Sequence, residues 1–253
     1  MTPDLKPKDR LIVALDVDSA DEALKLVDEL HGIVGMFKVG SQLFTAAGPS
    51  LVEKIVGSGN RVFLDLKFHD IPHQVSGAIA SATKLGASLI TVHASGGPEM
   101  LRSAVETAEE TAEREHIERP NVVAVTVLTS IDSAVLDQIG VTSDATESVK
   151  RLALLAASAG VDGVVASPKE IGAIRSTVSD SGFLIVTPGI RPNDPKRDEH
   201  SAIDDQRRVA SPGFALAAGA NYLVIGRPIT AASDRAQAVE RIVREMEISV
   251  APM

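Results

Sequence analysis

The chain has 253 residues, 44% apolar and 23% charged, with no cysteine and a formal charge of 25 − 34 = −9. That length suits one large domain, the acidic balance excludes non-specific binding to nucleic acid and docking on anionic lipid, and the lack of cysteine excludes disulfides and thiolate metal sites. No apolar run approaches the ~18 residues of a membrane span and "MTPDLKPKDR" has no apolar signal core, so a cytoplasmic protein with no membrane partner is expected.

β-branched runs recur along the chain, each followed by a helical pattern. The first strand is expected at residues 11–17, "LIVALDV", with an amphipathic helix over 19–32. Strands follow at 35–40, 61–68 and 88–95, the last leading into a long helix over 98–115. The series continues with strands at 121–130, 163–168, 183–190 and 222–228, and a helix over 147–160. Near-continuous apolar strands alternating with helices indicate a parallel sheet covered by helices. Eight such units in this length predict a single-domain (β/α)8 TIM barrel spanning 1–253, its core at about 11–247. An open doubly wound sheet is the alternative. It normally has fewer strands, and "LDVDSADEA" after the first strand is not the glycine-rich dinucleotide turn.

Polar residues fall at the C-terminal ends of these strands: Asp16, Lys38, Asp65, Lys67, His93, Thr129, Ser130, Arg191 and Arg227. In a barrel those ends converge on one mouth, where active sites sit. The third strand carries the densest group, in "RVFLDLKFHDIPHQV". Residues two apart share a face, so Asp65 and Lys67 point one way and Leu64, Leu66 and Phe68 the other. An ion pair plugging the mouth is one reading. The other is an Asp–Lys–Asp array, with Asp70 and with Lys38 from the neighbouring strand, that holds an ammonium between carboxylates. Opposite charges at ~4 Å are worth about 4 kcal/mol at an effective dielectric of 20, enough to keep a lysine charged and fixed as an acid.

The run "FLDLKFHDIP", with "ALDV" on the first strand, "FKVG" on the second, "VLTS" on the fifth, "TPGIRP" on the seventh and "VIGRPI" on the eighth, closely resembles the orotidine 5′-phosphate decarboxylase family. The likeness runs from about Leu11 to the last helix. Sugar-phosphate relatives, keto-gulonate-phosphate decarboxylase and hexulose-phosphate synthase, share the D-x-K-x-x-D core but carry Glu where this chain has Lys38. The resemblance implies decarboxylation of orotidine 5′-phosphate to UMP, the last step of pyrimidine nucleotide synthesis, without metal or organic cofactor. It implies Lys67 as the acid that protonates C6 and Asp65 beside the departing carboxylate. Lys38 and Asp70 complete the charged array.

The same resemblance places Asp16 and Lys38 at the ribose, and Thr129 and Ser130 at the pyrimidine edge and ribose. Pro188 lines the base, and Gln206, Gly226 and Arg227 bind phosphate with Arg191 close by. It implies a homodimer in which Asp70, Ile71 and the residue four after Asp70 reach the neighbouring subunit's site. That last position is commonly Thr in the family and is Gln74 here, a longer side chain that still donates and accepts. Plainer readings stand beside these: a rim salt bridge for Arg227, hydrogen-bond fillers for Thr129 and Ser130, and a strand-ending turn for Pro188.

Residues 191–210, "RPNDPKRDEHSAIDDQRRVA", form a long polar segment expected to close over phosphate and base. His69, His73 and His93 lack zinc spacing and are expected in supporting roles. With one Tyr and no Trp, a base-stacking nucleic-acid platform is not expected. Two rival functions remain at this point: a metal-dependent enzyme acting on a sugar phosphate through an enediolate, and a non-catalytic nucleotide-binding regulator.

Overall fold

Eight parallel strands pair in chain order and close on themselves: β1 (Leu11–Ala14), β2 (Met36–Gly40), β3 (Val62–Phe68), β4 (Leu89–His93), β5 (Asn121–Val125), β6 (Gly163–Val165), β7 (Leu184–Thr187) and β8 (Tyr222–Ile225), with β8 returning to β1. The computed structural model describes residues 5–192 and 209–250. Helices wrap the outside, and the (β/α)8 barrel expected from the alternation is the observed fold.

The strands are apolar on both faces because both are covered. One alternate set, including Ile12, Met36, Phe63, Leu89, Val186 and Val224, fills the barrel interior, while Val13, Val39, Leu64, Ile90 and Ile185 pack outward against helices. Helix starts follow local chemistry. Ser19 accepts a hydrogen bond from the Glu22 N–H at 3.3 Å, opening Ala20–Leu30, and Asp144 accepts from Glu147 at 2.9 Å, opening Ala145–Ser158. The end of the barrel away from the strand C-termini is tied by arginines. Arg10 donates to the carbonyls of Ala220 and Asn221, and Arg175 donates to the carbonyls of Phe183 and Gly219 and to the Asn221 side chain. Polar residues at that end hold the fold, and chemistry belongs to the other.

The strands are shorter than their sequence patterns at the C-terminal end. The pattern over 121–130 yields Asn121–Val125, that over 11–17 yields Leu11–Ala14, and that over 222–228 yields Tyr222–Ile225 followed by a helical turn beginning at Arg227. Thr126 makes the last tie of this run to β6, its N–H and hydroxyl both donating to the Val165 carbonyl at 3.3 and 3.1 Å. Beyond that point Val127 and Leu128 continue the apolar pattern outside the paired strand. Asp16, Thr129, Arg191 and Arg227 therefore lie just past the ladder, whereas Lys38, Asp65 and Lys67 lie within β2 and β3.

Candidate active site

β3 is where the barrel departs from a regular ladder. Against β4, Leu64 pairs with Ile90 but Phe68 pairs with Val92, so Asp65, Leu66 and Lys67 stand opposite Thr91 alone. Two extra residues are accommodated by a bulge, and Lys67 takes a left-handed backbone conformation with φ 53°. A lysine there costs about 1 kcal/mol or more. Two is an even number, so the sidedness read from the sequence survives: Leu66 and Phe68 pack outward with Leu64, while Asp65 and Lys67 line the interior pocket.

Four charges form a chain across β1, β2 and β3. Asp16 lies 3.1 Å from the Lys38 ammonium, which lies 3.7 Å from Asp65 Oδ2; Asp65 Oδ1 accepts from the Lys67 ammonium at 2.9 Å. The inner members are enclosed, Lys38 and Asp65 being 12% and 11% exposed at the side chain, while Lys67 is 35% exposed toward the cavity. Two cations and two anions balance, which is what makes their burial tolerable. Gly40 lies close beside Lys38: a Cβ there would stand 3.1 Å from its ammonium, which would have to shift slightly.

These groups border a cavity of about 440 Å³. Its lining combines the charges of Asp16, Lys38, Asp65 and Lys67, the apolar side chains of Val125, Val127, Val165 and Ala166, and the cations Arg191 and Arg227, with Gly226 beside Asp16 and with Thr129 and Pro188. A ligand suited to that lining has a flat, weakly polar body, a hydroxyl-bearing middle and an anionic terminus. Among the described residues, no group of three or more His, Asp or Glu side chains is arranged to hold a metal ion.

Several residues singled out in the sequence lie apart from this cavity. Ser130 is exposed in the turn after Thr129 and does not line it. Asp70, Ile71 and Gln74 are exposed at the start of helix Pro72–Lys84; Asp70 accepts from the Ile71 N–H at 2.7 Å and, among the described residues, pairs with neither lysine. Ile71 is 63% exposed, large for an isoleucine beside an active-site mouth. Gln206 and most of the polar segment over 191–210 lie outside the described residues.

Two features escaped the sequence reading. Thr91 is fully buried and contacts both members of the β3 pair, as described below. Its signal was present: in "LITVH" strict alternation puts Leu89, Thr91 and His93 on the interior face, where a mid-strand hydroxyl is unusual. The second is an imidazole pair. His69 and His93 stack with centroids 5.1 Å apart, and His93 Nδ1 lies 2.7 Å from Ser95 Oγ.

Burial, and then the charges of His69 and Lys67, hold His93 below its ordinary pKa of 6.5. Below that value the unfolded chain binds a proton that the native imidazole resists. Stability contributed here is therefore full above 6.5 and falls as pH drops through the window beneath it. Between about pH 7 and about pH 5.5, His93→Gln should lose less thermal-unfolding midpoint than the parent. An equal loss in both proteins would clear His93 as the source.

The sequence matches the family described as "Orotidine 5'-phosphate decarboxylase / HUMPS family" over residues 9–242. It is 51% identical over 243 residues to the orotidine 5′-phosphate decarboxylase of Heliobacterium modesticaldum, covering 96% of this chain and 97% of that one. It is 50% identical over 242 residues to that of Moorella thermoacetica, covering 95% and 93%. A crystal structure of orotidine 5′-phosphate decarboxylase from Lactobacillus acidophilus superposes with a TM-score of 0.81 at 37% identity, covering 93% of this chain and 98% of that one. With the charged chain in a barrel mouth and relatives matching along nearly its whole length, the protein belongs to the orotidine 5′-phosphate decarboxylase / HUMPS family.

Proposed function

We propose that this chain decarboxylates orotidine 5′-phosphate to UMP without a metal or organic cofactor, with Lys67 as the acid. The observation that carries the reading is the Asp16–Lys38–Asp65–Lys67 chain bordering a cavity that Arg191 and Arg227 also line. The C6–carboxylate bond breaks heterolytically, CO₂ leaves, and the electron pair stays on an sp² ring carbon that cannot delocalise it readily. An ammonium already fixed by Asp65 meets that charge without reorganising. It then gives its proton to C6, and the neutral amine is reprotonated from solvent. Asp65, beside the carboxylate in this scheme, primarily positions Lys67.

Asp16 and Lys38 face the ribose, Thr129 the pyrimidine edge, Pro188 the base, and Arg191, Gly226 and Arg227 the phosphate. The chain works as a homodimer, with Asp70, Ile71 and Gln74 presented to the partner's site. Their exposure on one chain, and the apolar surface of Ile71, support that sharing.

One experiment separates this reading from its rivals: loss of orotidine 5′-phosphate absorbance, with and without chelator, over a protein dilution series. Undiminished rates in chelator, with specific activity falling once dilution dissociates the dimer, are expected. Chelator-sensitive turnover would favour the enediolate chemistry of sugar-phosphate relatives, and UMP binding without turnover a regulator. Constant specific activity in a demonstrated monomer would overturn the shared site.

A further inference from the structure

We infer that Thr91 is a positioning residue for the decarboxylation proposed above, and that its hydroxyl sets the bulge that aims Lys67. The inference rests on that functional reading for its readout, but its grounds are geometric. Thr91 is the single β4 residue opposite the three bulged residues of β3, and it is fully buried. Its Oγ1 lies 2.8 Å from the Lys67 backbone nitrogen and 3.1 Å from Asp65 Oδ1.

The direction of both hydrogen bonds follows from the groups. An N–H only donates, so the hydroxyl accepts from Lys67; its one proton is then free, and the carboxylate takes it. A ladder carbonyl could do the first task but not the second, and a ladder N–H the second but not the first. Threonine performs both at the point where the ladder is interrupted.

The consequence is a closed loop. The Lys67 backbone is held through Thr91 to Asp65 Oδ1, and the Lys67 ammonium returns to that same oxygen at 2.9 Å. Main chain and side chain of one lysine are thus referenced to one carboxylate oxygen. Without the hydroxyl the left-handed conformation of Lys67 loses its hydrogen-bonded anchor at that N–H, and Asp65 loses a donor that fixes its carboxylate plane. The ammonium then wanders from the reacting carbon, while the arginines and apolar side chains that line the cavity are untouched. A displacement of the order of 1 Å at a reacting group costs about a hundredfold in rate.

The test compares Thr91→Val, which keeps the shape and removes the hydroxyl, with Thr91→Ser, which keeps the hydroxyl and removes a methyl. Expected for the valine variant is a kcat about a hundredfold lower, with KM and UMP affinity within about threefold of the parent; the serine variant should keep kcat within about threefold. A rise in KM at constant kcat, or serine failing like valine, would show that volume matters rather than the hydroxyl, and would overturn the inference. If the valine variant does not fold, two measurements still decide. The serine variant must retain kcat, and the Lys67 amide of the parent must be slow in hydrogen exchange although it lies outside the ladder. A kcat drop of about tenfold or more in serine, or an amide exchanging like an open loop, overturns the proposal. A parent protein that never turns over orotidine 5′-phosphate would sink the functional reading itself, whereas an active parent matched by an equally active valine variant sinks only the role of Thr91.

Discussion

Lys67→Ala is expected to lower kcat for orotidine 5′-phosphate by about ten-thousandfold or more, with the protein still folded and still binding UMP. Positioned acid catalysis alone contributes about 10² to 10⁴, and a fixed charge aimed at a developing anion about 10² to 10³. In the proposed mechanism Lys67 performs both tasks, and they do not add as independent terms because one group carries them. Folding tolerates the change because the side chain is 35% exposed to the cavity rather than buried in a wall. Asp65 keeps its hydrogen bond from Thr91, and Lys38 remains 3.7 Å from its other oxygen. Ground-state binding should persist because Arg191 and Arg227, which also line the cavity, are unchanged. Activity within about tenfold of the parent would remove Lys67 from the chemistry.

A large effect on stability is expected far from the charges, at Gly163 in the three-residue strand β6. Gly163 pairs with Leu184 of β7, and a Cβ at this position would come within 2.5 Å of the Leu184 Cβ and 2.8 Å of its carbonyl carbon. The obstacle is the backbone of the adjacent strand, which cannot rotate aside like a side-chain tip. Relief requires β6 and β7 to part, and closure passes that strain around the barrel. Gly163→Ala should therefore cost about 3 kcal/mol and lower the unfolding midpoint by about 10 °C. Gly172 provides the contrast. It is exposed in helix Ile171–Thr177, and a Cβ there meets nothing within 4 Å. Gly172→Ala should stabilise by about 0.5 kcal/mol through the unfolded chain's lost freedom. Equal midpoints for the two variants would contradict the packing argument.

Both effects trace to how the chain is enclosed, and they differ in how visible they are along it. Alternation exposed Asp65 and Lys67 as charges on the interior face of an apolar strand, and the eight-fold repeat of strand and helix exposed the barrel. Nothing local marks Gly163 as different from Gly172, because what separates them is the Leu184 backbone, 21 positions away in the chain. The same holds for the reach of the strands. Thr126 to Ser130 reads as a continuation of β5, yet the strand ends at Val125 and Thr126 makes the last hydrogen bonds to β6.

Residue types and their spacing were sufficient for the fold class and for the meeting of Asp16, Lys38, Asp65 and Lys67, though not for the separation of Asp70 from them, since hydrophobic periodicity and the cost of burying a charge are properties of short segments. Tertiary structure decided the remainder: the two-residue bulge in β3, the left-handed backbone of Lys67, the buried hydroxyl of Thr91 between them, and the separation of Asp70, Ile71 and Gln74 from their own chain's cavity. Those depend on which residue of one strand stands opposite which residue of the next, and a register between strands is set by closure of the whole barrel rather than by either strand alone.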